Sequence, residues 1–590
     1  MFKGRGSRPL DIGAPAVPLL RSYLDSRGNL ALRYTIKALL PNRFLCALSA
    51  PLVFLIPSDT LVMRCHQLSV FYVLSVLAIA PLANFAMPPA SPWDDIHVKH
   101  TWNAVPPSWE TLGRPPAGTT IDLHLALKPH HENALIDALY DVSDPRGTKY
   151  VLSNTLPRTT YSHVPLLRCR YGAHLSKEQV AQLVAPHPDS LKLINSWLEH
   201  HGVPSSSIST IHGGSWLKLT GVPVSQANGL LGASYQLYRR TGMNDSTILR
   251  TIGYSLPSVL HAHVQTVVPT TYFASTRRQA PRRRSVGETA NMTSRTVLSS
   301  RFDEVTPSDL RSLYKTSAYV PAATDQNELG VAGYLNDYPS PTDLTMFMRE
   351  CREDAVDAFY EVELVNGGGY DPSHPAAEVN LDMQYTQAIA YPTPHTFYST
   401  GGSMFIHNNV PDEGDIWLEW LVHMLSQPNV PQTVSTPYAD YEKFLPLEYT
   451  TTLCRLFAEL GARGASVLFS SGNDGVGLGD CIVDDGSGRV QFIPEFPASC
   501  MCGVLFLFES STPSQAQVAH HHHGFAGPYV TTVGGTTGHI TEVAAPLSGG
   551  GFSNHFLRPP YQDYAVHTFL QHLGSQHYGL YKCVLCRDLT

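Results

Sequence analysis

These 590 residues carry little charge: Asp, Glu, Lys and Arg make up 15% of the chain, with 49 acids against 41 bases and a net charge of −8. No basic face of the size a nucleic acid needs is present, and the pI near 6.4 agrees, so no nucleic-acid partner is expected. Cysteine is scarce as well. Ten in a chain of this length do not make a disulfide framework, and Cys46, Cys65, Cys583 and Cys586 fall outside the stretches patterned like folded domain. Long apolar runs are few, and the one over 68–83 is near the lower length limit for a membrane-spanning helix. What is there suits a globular chain: 43% hydrophobic and 10% aromatic residues, enough for two or more cored domains.

The run at 68–83 follows Met63-Arg64-Cys65-His66 and ends among Ala78, Ala80, Ala83 and Ala86, before Pro88-Pro89. A short basic start, an apolar middle and small residues near the end read as a secretory signal peptide over 63–87, with a membrane anchor as the alternative. On that reading Met63 is the true start. Residues 1–62, which mix Arg, Pro and apolar runs without a period, are then an upstream extension.

From 88 to 275 the pattern alternates strands and helices in an α+β layout. Ile121, Leu123, Leu125 and Leu127 recur at every second position, as on a half-buried strand. A helix is expected over 132–142 with Leu135, Ile136 and Leu139 inward. Ser176 to Gln179 forms a capping box that opens another, and a third runs over 189–199 to Gly202. A strand at 216–220, a helix over 224–238 and a strand over 259–268 follow. Residues 276–304 carry Arg277-Arg278 and Arg282-Arg283-Arg284 among Pro, Ser and Gly, a composition that reads as an exposed linker open to proteolytic processing. Asn244 and Asn291 sit in glycosylation sequons, informative only in a secreted chain.

Beyond 305, strands expected at 329–335, 432–436 and 465–469 alternate with helices at 341–352, 418–425 and 446–463. That order predicts an α/β fold with a parallel sheet, helices on both faces and function at the carboxyl ends of the strands. Trp417 and Trp420, three apart, read as core packing rather than the wall of a groove. The chemistry centres on a helix carrying Glu378-Val379-Asn380-Leu381-Asp382-Met383-Gln384-Tyr385. Glu378 and Asp382 lie one turn apart on one face, where like charges repel. On a solvated face they mean little. On a buried one, one carboxyl holds its proton while the other ionises, which makes an acid–base pair.

This motif resembles the Glu/Asp helix of the sedolisins, the serine-carboxyl peptidases, and most of all their secreted fungal tripeptidyl-peptidases. Segments 305–314, 430–436, 469–477, 496–499, 529–536 and 548–553 agree in family order, and the likeness runs from about Trp93 to Lys582. It implies a subtilisin-like catalytic domain behind a ferredoxin-like pro-domain (88–275) that acts as an intramolecular inhibitor. It also implies a monomeric, extracellular enzyme that cleaves peptides and proteins in acid. Glu378 would be the base and Asp382 its orienter, and a carboxylate base works where a histidine is already protonated. The family's oxyanion aspartate is replaced by Asn473, whose amide donates at any pH.

Three departures limit the likeness. No Gly-Thr-Ser occurs in the chain, so the family's nucleophile block is absent. The family's calcium ligands would lie beyond the last residue, so no metal ligand is assigned although calcium is the expected cofactor. Stretches 151–170, 501–527 and 583–590 interrupt the family pattern and read as translated introns or a frame departure; on that reading neither the His520–His523 tract nor Cys583-Val584-Leu585-Cys586 is a metal or redox site. Cys481 and Cys500 flank the loop after the Asn473 turn and are expected to form a disulfide in a secreted chain, with two buried thiols as the alternative. An inactive homologue acting as a peptide-binding or inhibitory pro-domain protein is the alternative reading.

Overall fold

The computed structural model describes residues 91–106, 109–144, 171–241, 247–273, 277–278, 305–402, 415–476, 481–482, 488–500, 529–537, 542–575 and 579–580. Outside them lie the expected signal segment 63–87, the inserts 151–170, 501–527 and 583–590, the Arg282-Arg283-Arg284 run, and the sequons at Asn244 and Asn291.

The amino-terminal unit contains β1 (Ile96–Thr101), β2 (Trp109–Gly113), β3 (Thr120–Leu127), α1 (Ala134–Ser143), α2 (Lys177–Leu183), α3 (Pro188–His200), β4 (Ile208–Ile211), β5 (Trp216–Pro223), α4 (Val224–Leu231), β6 (Gln236–Arg240), β7 (Thr247–Arg250), β8 (Gly253–Pro257) and β9 (Val264–Val268). Its main sheet, β4-β5-β3-β9, is antiparallel throughout. The α+β layout is as expected, and Ser176 caps α2 in a complete capping box with Gln179. Ile121, Leu123, Leu125 and Leu127 of β3 turn to a core shared with Ile194, Trp197 and Leu198 of α3. The opposite face of β3 is not in water: Ala126 joins the core of the following domain and His124 is only 5% exposed. A strand patterned as half-buried is therefore covered on both sides. The helix expected over 224–238 is shorter, because Gly232 takes a left-handed conformation (φ 52°) that ends α4, and Gln236 onward is strand β6. Similarly, a 3-10 turn at Ser258–Leu260 delays the strand expected from 259 until Val264.

The second part contains β10 (Arg277–Arg278), α5 (Pro307–Leu313), β11 (Leu329–Gly333), α6 (Pro341–Cys351), β12 (Glu361–Val365), α7 (Ala377–Ala390), β13 (His395–Thr400), α8 (Ile416–Ser426), β14 (Thr433–Thr436), β15 (Tyr438–Tyr441), α9 (Leu447–Ala462), β16 (Ser466–Ser470), β17 (Glu495–Phe496) and β18 (Thr531–Val533). Six strands in the order β12-β13-β11-β14-β16-β18 form a sheet in which every pairing is parallel, the α/β arrangement expected. Trp417 and Trp420 are fully buried in its core, packed toward Phe469 and Phe457. Helix α9 joins the two parts. Its Leu453, Leu456, Phe457 and Leu460 belong to one cluster with Leu135 and Leu139 of α1, Val180 of α2, and Trp216 and Tyr272. Leu175 N donates to Ala462 O at 2.8 Å across the same contact.

One pairing must be corrected. Cys500 is bonded to Cys454 of α9, not to Cys481. The helix brings Cys454 directly beside the Phe496–Cys500 segment, with Cα atoms 5.4 Å apart, well within bridging range. The Cys481 thiol instead donates to Val476 O at 3.3 Å.

Candidate active site

Helix α7 is fixed at its amino end by the loop after β11. Asn380 Oδ1 accepts from Ser340 N at 2.8 Å, its Nδ2 donates to Asp343 Oδ2 at 2.7 Å, and Ala376 N donates to Tyr338 O at 3.0 Å. Val379 and Met383 pack on Val331 and Phe397 of the sheet, so the rotation of the helix is set. Glu378 is left in the first turn and Asp382 one turn on.

Glu378 is 9% exposed, and its Oε2 has no hydrogen-bond partner among the described residues; the same holds for Oδ2 of Asp382, which is shut off from solvent. Burial drives both carboxyls toward the neutral form. Glu378 is pushed up to about 7, with the Asp337 charge adding to burial, and Asp382 is raised further by burial and by Glu378. A position in the first turn would favour a carboxylate through the helix dipole, by about 0.3–1 kcal/mol, but unpaired burial outweighs it. The pair titrates as a unit that keeps a proton near neutrality. This is the buried version of the motif, not the solvated one.

Two residues absent from the sequence-derived site extend it. Asp337, 2% exposed, stands just beyond the carboxyl end of β11 and accepts from the Tyr438 hydroxyl at 3.1 Å. Tyr438 opens β15, immediately after β14. Both stand at strand ends, where a parallel sheet places function, but only the register of the sheet brings them together.

Asn473 lies along the same edge, in the turn after β16. Ser471 N donates to Val533 O at 2.9 Å, Gly549 N donates to Gly472 O at 3.0 Å, and the hydroxyls of Ser471 and Ser548 are 3.1 Å apart. Gly472 has φ 108°, and a Cβ there would lie 2.4 Å from Glu495 Oε1. The 548–553 segment is anchored in turn by Glu442, fully buried, whose carboxylate accepts from Ser553 Oγ at 2.6 Å, from His555 N at 3.2 Å and from Asn554 N. Asn473 thus sits in a hydrogen-bonded turn at the same carboxyl edge of the sheet as the acid pair.

Backbone strand β10 pairs antiparallel with β15, placing Arg277 opposite Ala439 and Arg278 opposite Tyr438. Residues 277–278 therefore add a short strand to β15. Among the described residues no group of three or more His, Cys, Asp or Glu is arranged to hold a metal ion, so the calcium implied by the resemblance finds no fitting site there. Nor is any described helix long and apolar enough to cross a membrane.

A parallel sheet thus carries a buried Glu–Asp pair at its carboxyl edge, with the α+β part packed on helix α9. The Pro-kumamolisin activation domain family matches residues 168–273. Tripeptidyl-peptidase SED2 of Arthroderma otae is 31% identical over 516 residues, covering 85% of this chain and 77% of that protein. A probable tripeptidyl-peptidase SED2 of Arthroderma benhamiae is likewise 31% identical, over 524 residues with the same coverage. Pseudomonas sedolisin, a serine-carboxyl proteinase, superposes over 45% of this chain with 15% identity and a TM-score of 0.29, too slight an overlap to add to the sequence relationship. The chain belongs to the sedolisin family of serine-carboxyl peptidases.

Proposed function

We propose that this chain carries the pro-domain and the acid–base half of an extracellular tripeptidyl-peptidase that works in acid. Glu378 is the base: it takes the proton of a serine hydroxyl as the oxygen attacks the scissile carbonyl, then returns it to the leaving amine. Asp382 orients Glu378, and the Asn473 amide donates to the oxyanion of the tetrahedral intermediate. Water then hydrolyses the acyl-enzyme by the reverse sequence. The observation that carries the reading is that Oε2 of Glu378 and Oδ2 of Asp382 are buried without a partner among the described residues; burial pushes Glu378 up to about 7, so work in acid requires the hydrogen bond donated by the serine hydroxyl to lower it.

The serine of this chemistry has no Gly-Thr-Ser block in the 590 residues, so the polypeptide as given is expected not to hydrolyse peptides. A second reading, a peptide-binding or inhibitory homologue, is favoured by that missing block and by the strand that β10 adds to β15. Transcript sequence past Lys582 separates the two. If it encodes Ser-Gly-Thr-Ser, the extended protein should release tripeptides at pH 4 and lose at least a thousandfold in kcat on Glu378→Gln, a loss typical of removing a catalytic group. If the extended protein cleaves at full rate after Glu378→Gln, the assignment of the base is wrong.

A further inference from the structure

The short strands β15 and β17 pair antiparallel with Tyr441 opposite Glu495, and Glu442 N extends the pairing by donating to Pro494 O at 3.3 Å. Two glutamates are thereby brought to one place and taken out of water, Glu442 at 0% and Glu495 at 7% exposure. Neither takes part in the acid-pair chemistry. A carboxylate buried so completely is costly unless several donors replace the lost water. Glu442 finds them in a single stretch of chain. Its Oε2 accepts from Ser553 Oγ at 2.6 Å, and its Oε1 accepts from Asn554 N and, at 3.2 Å, from His555 N. The Ser553 hydroxyl accepts in turn from Phe556 N at 2.9 Å, and His555 Nδ1 lies 3.1 Å from Thr450 Oγ1 of α9.

Glu495 lies against the other piece, the turn that carries Asn473. A Cβ on Gly472 would come within 2.4–2.6 Å of its carboxyl atoms. Residues 547–549 are joined to this turn by backbone: Gly475 N donates to Leu547 O at 2.7 Å, and Gly549 N to Gly472 O at 3.0 Å. Ser548 Oγ lies 3.1 Å from Ser471 Oγ and accepts from Gly535 N at 3.0 Å. No side chain fits at 549, because a Cβ there would fall 1.8 Å from Ser471 O. Backbones in such close contact do not shift independently.

We infer that Glu442 is a positioning residue for the oxyanion donor: by holding 553–555 it keeps 547–549 seated on the 471–475 turn, so that loop and turn open as one unit and the Asn473 amide is presented at a fixed place. This rests on the reading of Asn473 as that donor. Such a donor counts only if it is aimed before the reaction begins, and a misplacement of about 1 Å can cost about a hundredfold in rate. Glu442 stands just past the end of β15, whose first residue, Tyr438, donates to Asp337. One short strand thus has a contact to the acid side at its start and the anchor of the oxyanion side at its end.

Native-state hydrogen exchange of the full chain tests this without requiring peptide cleavage. Glu442→Ala should speed exchange at 547–556 and at 471–476 together, by roughly tenfold or more, while β11 and β13 change only with overall stability. A residue that merely adds to overall stability would move β11 and β13 and leave the local opening of 471–476 as it was. Glu442→Gln supplies the rescue: Oε1 keeps both backbone amides and the Ser553 hydroxyl turns to accept from the new amide, so exchange at 471–476 should stay within about threefold of wild type. If Glu442→Ala does not fold, Ser553→Ala removes one of the anchored partners and should loosen both segments together by a smaller factor. Loosening of 547–556 with 471–476 unchanged, in whichever variant folds, overturns the inference. Failure of the reading beneath it looks different: an extended, active enzyme that keeps its full kcat after Asn473→Ala has no oxyanion donor there, whatever the exchange rates show.

Discussion

The acid pair shows what a single buried contact costs. Glu378 and Asp382 both have raised folded-state values, so the fold prefers them neutral; that preference helps stability in acid and turns into a penalty as pH rises through those values. Asp382→Asn removes the charge and keeps the shape. At pH 4 it should change unfolding stability little, and at pH 8 it should stabilise by about 1–3 kcal/mol, as read by urea denaturation at the two pH values. No gain at pH 8 would mean that the carboxyls are solvated. The cysteines offer a second residue-level contrast. Cys454→Ser opens a bridge between residues 46 apart and should cost about 2–4 kcal/mol, whereas Cys481→Ser should cost under about 1 kcal/mol. The roles proposed for Glu378, Asp382 and Asn473 come from short local motifs. Asp337 and Tyr438 were not legible in that way, since they lie 101 residues apart and meet only through the strand order β11-β14. The Cys454 bridge escaped for a related reason: the mid-helix cysteine carries no local signal, and only the packing of α9 brings it to Cys500.

Elements with a clean period were foreseen, and those whose polarity is set by context were not. The parallel strands at 329 and 466 are apolar and Gly-bounded, but β13 reads His-Thr-Phe-Tyr-Ser-Thr and is buried at all six positions. Two of its hydroxyls are satisfied inside the sheet region, Ser399 Oγ donating to Gly369 O at 2.6 Å and Thr396 Oγ1 to Glu328 Oε1 at 2.5 Å, so burial leaves no apolar signature. In α4 the opposite happened: an apolar run continued past the helix end, and Gly232 alone stopped it. The turn after β16 depends on glycine more strictly. Gly472→Ala meets both an unfavourable φ and a Cβ contact at 2.4 Å with Glu495, so it should destabilise by about 2–4 kcal/mol and displace Asn473. Thermal unfolding reads the first effect. Loss of affinity for a peptide aldehyde in the extended enzyme reads the second, and an unchanged Tm would refute the strain.

At the scale of the whole molecule, α9 decides how far the two domains depend on each other. It is a helix with eleven of its residues buried, Thr450, Thr452 and Glu459 among them, which marks it as a central rather than a surface helix. One side faces the parallel sheet through Phe457 and Phe469, the other the pro-domain through Leu135, Leu139 and Trp216. The alternation of elements foretold an α+β layout followed by an α/β one, but not this dependence, because the face of β3 left to solvent by its alternation is the one that the next domain covers. A chain starting at residue 305 would expose that side of α9, along with Glu419 and Glu459. Burial of a single Leu or Phe is worth about 1.5–3 kcal/mol, so losing several such contacts at once approaches the 5–15 kcal/mol that holds a typical domain folded. Residues 305–590 alone should therefore bind an apolar dye and unfold without a cooperative transition, while the full chain shows one. Supplying residues 91–275 in trans should restore the transition. If 305–590 unfolds cooperatively by itself with the Tm of the full chain, then α9 does not need the pro-domain, and the contact is a docking surface rather than part of the core.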